Sequence, residues 1–521
     1  MHWTVSREIS LNISRKMTHN KERFMKINKK IVIKMMEARN IVAEKIEYKR
    51  LFLICSIYAI FYTFCLYKNG EGITFPLFIA GTAAVYLYYL NLMGKVLKPF
   101  SKFYFVSIGL MAVDVCITAN AFMIFFDKAF IFLLFFMLFM HNIYDDTTWD
   151  LGRYLKALVK NINTLPGFLR FPFFDISDMK QSKEFAKDGD SEISGNGERP
   201  AVYYVFMGLL ISVPLLCIIL PLLISSDVMF SDFMDKLFSF SWDWDVIGVL
   251  IMIVAVFFLS YALVYRLSIR IPFLQKPVMD KRVQSPIIAI TVNIVLLAIY
   301  MTYCMIQIIY LFLRKGNLPG NYTYTRYAHE GFFQLVFVCL INIVLVLVCR
   351  KHSRDSKVLK IVLCLISGCT YIMIASSAYR MYLYIAGYKL TYLRAFVLWA
   401  LLVMAVIMAG VIMYLYRPEM NFVRFCTVAV ISLWIVFIMI NPDYRIAKYN
   451  IIYHDDTEYI LELSLDAVPA IEKYADDDEI LEKYLKKYDY SNVHDDFGIE
   501  KETPLTFRTF NFSIWRAQEL E

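Results

Sequence analysis

Charge is scarce in this chain. Only 19% of its 521 residues are Asp, Glu, Lys or Arg, while 59% are hydrophobic; an ordinary soluble domain carries roughly a quarter charged residues. That balance excludes a string of soluble domains, although the length would hold about three. Paired cysteines are missing as well. All ten cysteines fall inside or at the ends of apolar runs, and none forms a C-x-x-C pair, which excludes disulfide scaffolds and thiolate zinc sites. No Walker loop, G-x-S-x-G, H-E-x-x-H or dinucleotide fingerprint occurs, so no enzyme, catalytic residue, cofactor or resident metal is expected. No tandem repeat is visible, and no base-reading motif points to nucleic acid.

What is present is apolar length. Spanning a bilayer takes roughly 20 apolar residues. Runs at 73–93, 103–126, 203–224, 286–313, 331–349 and 394–416 meet that test, and shorter ones lie at 51–67, 129–144, 246–265, 358–379 and 423–440. These eleven runs predict an all-α, polytopic membrane helical bundle of about 11 spans. The 42 Phe and 36 Tyr residues suit a solvent that is partly lipid and partly interface.

The organisation follows from composition. Residues 1–50 hold thirteen Lys/Arg against five Glu. They are too long and polar for a secretory signal, and are expected to lie in the cytoplasm against anionic headgroups. Residues 51–144 would form spans 1–4 and 203–440 spans 5–11. Between them, 145–202 reads as an amphipathic helix on the inner surface followed by a polar linker. Alternating eleven spans from a cytoplasmic N-terminus puts 35 Lys/Arg in inner segments and 9 in outer loops, or 22 against 9 without the N-terminal block, as the positive-inside rule requires. The C-terminus then lies outside. This count takes Asp127-Lys128 as the tip of a tight hairpin between 103–126 and 129–144.

After residue 440 the composition inverts. The tail 441–521 holds 19 Asp/Glu and 9 Lys/Arg and reads as a small, extracytoplasmic helical domain with a protein partner. Ser464 or Asp466 would cap one helix, with Pro469 in its first turn. Phe507, Phe510 and Ile514 would share the face of another. Asn441, Pro442 and Asp443 follow the last apolar run, where Asn441 would cap a new helix, Pro442 start it and Asp443 favour its positive end. The three form a candidate hinge, or elbow.

A few positions carry candidate chemistry. Asp114 stands as the only acid or base well inside a span, a functional candidate because burying it costs on the order of 3 kcal/mol; packing by a hydrogen-bonded acid is the alternative. Asn120, Asn293 and Asn342 are other polar groups at depth, able to partner it. Pro214 and Pro221 must bend the fifth span, either as a static kink or as a broken helix lining a site. His141, Asp145 and Asp146 gather at the end of the fourth span, as a metal site or as ordinary helix-end polarity. Five Asp in the loop 225–245 match no calcium pattern.

The segments LPGFLRFP, LPLLISSDVMF, NPDYRIAKYNI, LSLDAVPAI and RTFNFSIWRA together resemble a bacterial family of multi-pass membrane proteins defined as a domain of unknown function. The resemblance spans roughly 50–517, with the Asn-x-Asp…Ile-Ala-x-Tyr-Asn tail signature as its specific part. It implies a bacterial cell membrane location and supplies no catalytic or binding residues. The reading is a non-enzymatic sensory, regulatory or scaffolding envelope protein. The alternative is a small-solute or ion-coupled transporter using Asp114 and the Pro214/Pro221 kink.

Overall fold

The computed structural model describes Val42, residues 44–175, 244–269, 282–309, 332–454, 457–475, 478–487 and 506–520, and scattered positions between 208 and 274. The basic segment before Val42, residues 176–200, Pro214, Pro221 and residues 231–243 lie outside the described residues.

The described chain is helical. Its first half contains Tyr48–Leu66 (α1), Thr74–Leu92 (α2), Ser101–Ile117 (α3), Ala121–Ile143 (α4), Leu151–Thr164 (α5) and Trp244–Ser268 (α6). Pro286–Gln307 (α7), Phe332–His352 (α8), Lys357–Gly387 (α9), Tyr392–Tyr416 (α10) and Phe422–Met439 (α11) follow. Nine of these, all but α3 and α5, are long and apolar enough to cross a membrane. The 17 residues of α3 rise about 26 Å, close to the hydrocarbon thickness. Polar side chains start several helices by capping their free N–H groups: Asp150 accepts from Arg153 N at 2.9 Å, and Asn421 from Arg424 N at 2.9 Å. Outward faces stay apolar, as with Leu53, Ile251 and Phe337, which is the surface a lipid solvent requires.

The hairpin between the third and fourth spans is displaced from its expected place. Asp127 and Lys128 lie within α4, and the turn is Thr118-Ala119-Asn120. Asn120 Oδ1 caps α4 by accepting from Met123 N at 3.0 Å. A short capping sequence inside an apolar run ended one helix and began the next, whereas the charged pair continued a helix.

Packing divides the bundle into three cores. One joins α2, α3, α4 and α11 around Tyr104, Met111, Leu134 and Trp434. A second joins α7–α10 around Cys339, Ile366, Met408 and Val411. In the third, α1 pairs with α6 beside Phe168 and Phe171.

The loops sort to two ends. At one end, Lys98 Nζ donates to Tyr144 O at 2.6 Å, Asn421 Nδ2 to Asp146 O at 3.0 Å, and Lys351 pairs with Asp150 at 2.5 Å. At the other end sits the C-terminal cap. It is built from Pro442–His454 (α12), Val468–Tyr474 (α13), Asp478–Lys487 (α14) and Phe512–Gln518 (α15), around a core of Ile446, Leu465, Ile471 and Tyr484.

Three expectations for the tail are corrected. The Ser464 hydroxyl caps no helix and donates to Asp443 instead. Asp466 lies inside a short 3-10 turn rather than before it. Phe507 is 75% exposed and precedes α15, which starts only at Phe512, because residues 506–511 are drawn toward the bundle by backbone bonds such as Ile73 N to Phe510 O, 2.9 Å.

Candidate functional site: an acidic junction between bundle and cap

Where the cap meets the bundle, four aspartates converge from distant parts of the chain. Asp114 comes from the last turn of α3 and Asp127 from the second turn of α4. Asp443 stands in the first turn of α12, and Asp466 in the 3-10 turn Leu465–Ala467. Asp127, Asp443 and Asp466 are buried, and Asp114 is half-buried. Asp127 and Arg380, a buried cation in α9 that donates to Gln307 Oε1 at 3.1 Å, overturn the expectation that Asp114 is the only acid or base well inside a span.

Each acid is tied differently. Trp434 Nε1 donates to Asp127 Oδ1 at 2.7 Å, and Phe126, Phe130, Trp399 and Phe437 surround the indole. The Asp114 and Asp127 carboxyls are close enough to influence each other electrostatically, while Oδ2 of each has no donor among the described residues. Two acids so placed either repel or share a proton. Asp466 takes the Thr118 hydroxyl and, at 2.9 Å, the Ala119 N–H. Asp443 Oδ2 accepts from Asn120 Nδ2 at 2.6 Å and from Ser464 Oγ at 2.7 Å. Tyr392 lies within electrostatic reach of all four carboxyls, and its hydroxyl has no hydrogen-bond partner among the described residues.

Burial pushes the Asp443 carboxyl from an ordinary 3.8 up to about 7, helped by the Asp466 charge and opposed by the two donors Asn120 and Ser464. Asp443 was expected to face the positive end of α12 and favour it. It does stand in the first turn of α12, and it serves in addition as an acceptor across the junction, where the cap meets the α3–α4 hairpin. Asn441 does cap α12, with Oδ1 accepting from Tyr444 N at 3.1 Å. It takes a left-handed φ of 50°, which Asn tolerates better than most residues. Pro442 occupies the first helical position and is buried.

Further bonds seal the same end. Asn69 Nδ2 donates to Arg508 O at 2.5 Å and to Thr74 Oγ1 at 2.7 Å. Asn450 brackets Leu390, accepting its N–H at 2.9 Å and donating to its carbonyl at 2.8 Å. Asn511 Nδ2 donates to Thr118 O at 2.8 Å. These residues escaped the sequence reading; the available signal was Asn and Thr placed at the ends of apolar runs.

The other candidates lie elsewhere. Asn293 donates to Ala289 O at 2.6 Å, and Asn342 joins Tyr300 at 2.8 Å to Thr370 at 3.0 Å, all within α7–α9. Asn120 is the only one of the three asparagines brought near Asp114, and its bond goes to Asp443. At the opposite end His141 Nδ1 and Asp146 Oδ1 are 2.8 Å apart, while Asp145 turns to Thr147. Burial works against the Asp146 charge, yet His141, Tyr154 and Arg424 hold its carboxyl below the usual range. Among the described residues no group of three or more His, Cys, Asp or Glu is arranged to hold a metal. Asp175 is a further buried acid, accepting from Tyr261 and Tyr265 at 2.6 and 2.5 Å.

A family model described as a domain of unknown function, DUF4153, matches residues 105–474. No curated protein and no solved structure matches the chain.

Proposed function

The chain belongs to the DUF4153 family, and we propose that it is a regulatory or sensory component of the bacterial cell envelope, in which the cap reports to, or is set by, the membrane bundle. The observation that carries this reading is the junction itself. The cap is bonded through buried polar groups to the α1–α2 loop, the α3–α4 turn and the start of α10. A passive tether would need no such fit, since each buried polar group must be matched or cost about 1–3 kcal/mol. In this reading the N-terminus is cytoplasmic and the cap external. The Lys/Arg excess of the opposite end supports that orientation, and the acidic tail provides a surface for a protein partner.

The test compares two changes in the intact protein. Deletion of 441–521 should abolish the cellular phenotype and the crosslinks to partner proteins seen by mass spectrometry in whole cells, whereas Asp114→Asn should leave both. A C-terminal reporter that signals from the cytoplasm would overturn the orientation.

One observation favours a second reading, proton-coupled transport. Asp114 has a buried carboxyl neighbour, Asp127, inside the cap-side end of the spans, and paired acids within spans serve proton relays. Solute flux in proteoliposomes that Asp114→Asn and Asp127→Asn each abolish would decide for it.

A further inference from the structure

The helix α5 has three faces. Its inner face is docked: Tyr154 OH donates to Asp146 Oδ2 at 2.7 Å, Arg153 Nη2 to Leu274 O at 3.1 Å, and Arg266 Nε to Thr164 Oγ1 at 2.8 Å. At 3.6 residues per turn, Leu151, Leu155, Val159 and Ile162 fall on a second face, and all four are more than half exposed, at 63, 54, 55 and 57%. Lys156 and Lys160 occupy the third, also exposed. Water would oppose four large apolar side chains on one stripe, each costing about 1.5–3 kcal/mol relative to burial.

The helix also sits where a bilayer ends. It begins eight residues after the last residue of α4, Ile143, at Leu151, where that apolar helix has just ended. A docked face, an exposed apolar face and a basic face match a helix lying in the interface.

We infer that α5 is a membrane-surface helix whose Leu151–Ile162 stripe enters the acyl chains of the leaflet at the basic end, while Lys156 and Lys160 contact anionic phospholipid headgroups. The choice of occupant rests on charge. The stripe alone would suit a partner protein or a second copy equally, but the flanking lysines complement a leaflet rich in phosphatidylglycerol, where each nearby basic side chain contributes about 1 kcal/mol. The inference is independent of which leaflet this is and of what the cap does.

The test places a nitroxide at Val159→Cys, and separately at Leu155→Cys, in the full chain reconstituted into nanodiscs; the unsubstituted chain measures the label on native cysteines. In phosphatidylglycerol discs the label should be reached by oxygen and sheltered from a water-soluble nickel complex, and in phosphatidylcholine discs that shelter should weaken. Lys156→Gln with Lys160→Gln should erase the difference between the two lipids. A label open to nickel in both lipids would overturn the proposal, as would one shielded from both reagents, which would place a protein on the face. Equal shelter in the two lipids would overturn the anionic headgroup contact.

Discussion

Asn120 donates its side-chain amide to the Asp443 carboxyl over 2.6 Å, joining the cap residue of α4 to the first turn of α12 across 323 positions of sequence. The same Asn120 caps α4 through Oδ1, so one side chain starts a span and holds the cap.

Asn120→Leu should therefore cost two things at once. Loss of the cap costs about 1 kcal/mol, and loss of one of the two donors to the buried Asp443 Oδ2, which keeps only Ser464, adds roughly 0.5–1.5 kcal/mol. Hydrogen exchange should show faster opening of 442–454 with the interior of α9 unchanged. Uniform loosening of both would contradict a local junction.

Docking of the cap should depend on pH through Asp443. Its carboxyl, ordinarily at 3.8, is raised to about 7 by burial and by Asp466. A raised folded-state value means the docked state binds the proton more tightly. The stabilisation is thus full below about 4 and is lost as the pH rises through about 7. Exchange protection of 442–454 should be greater at about pH 5 than at about pH 8. Asp443→Asn, which stays neutral, should flatten that dependence. The other groups facing this carboxyl are Asp466, Tyr392 and Tyr459. An unaltered profile in Asp443→Asn would move the effect to them.

Gly72→Ala should undock the C-terminal segment. A Cβ at Gly72 would overlap the Arg508 carbonyl, the same group that Asn69 holds. Because the clash is with backbone, no side chain can swing aside. Limited proteolysis should cut near 506–511 in the variant and spare it in the parent.

Trp434→Phe should weaken the bundle itself. It removes the only donor to Asp127 among the described residues, leaving a buried acceptor at a cost of about 1–3 kcal/mol, with some packing lost from the aromatic group around it. Thermal unfolding in detergent should shift down. Combining it with Asp127→Leu, which removes the stranded acid, should recover much of the loss; additive losses would show that the bond contributes little.

The sequence read well where one physical term dominates. Apolar runs of span length must be helical in lipid, because no other partner satisfies their backbone groups, and ten of the eleven expected runs coincide with described helices. Asn441-Pro442 announced α12 by capping chemistry, and the stripe of α5 was visible as periodicity. The hairpin was misplaced because Asp127-Lys128 looks like a loop from composition. A buried acid inside α4 is tolerable only once Trp434, 307 positions away, is beside it.

By itself, then, the sequence determined a helical membrane protein with a basic and an acidic extremity, since hydrophobicity, charge and caps act over a few turns of chain. Only the tertiary structure decided that Asp114, Asp127, Asp443 and Asp466 meet at one junction. Each acid looks ordinary or misplaced within its own segment. What fixes its role is a donor or a second carboxyl supplied by another helix, and no local pattern encodes which helix that is.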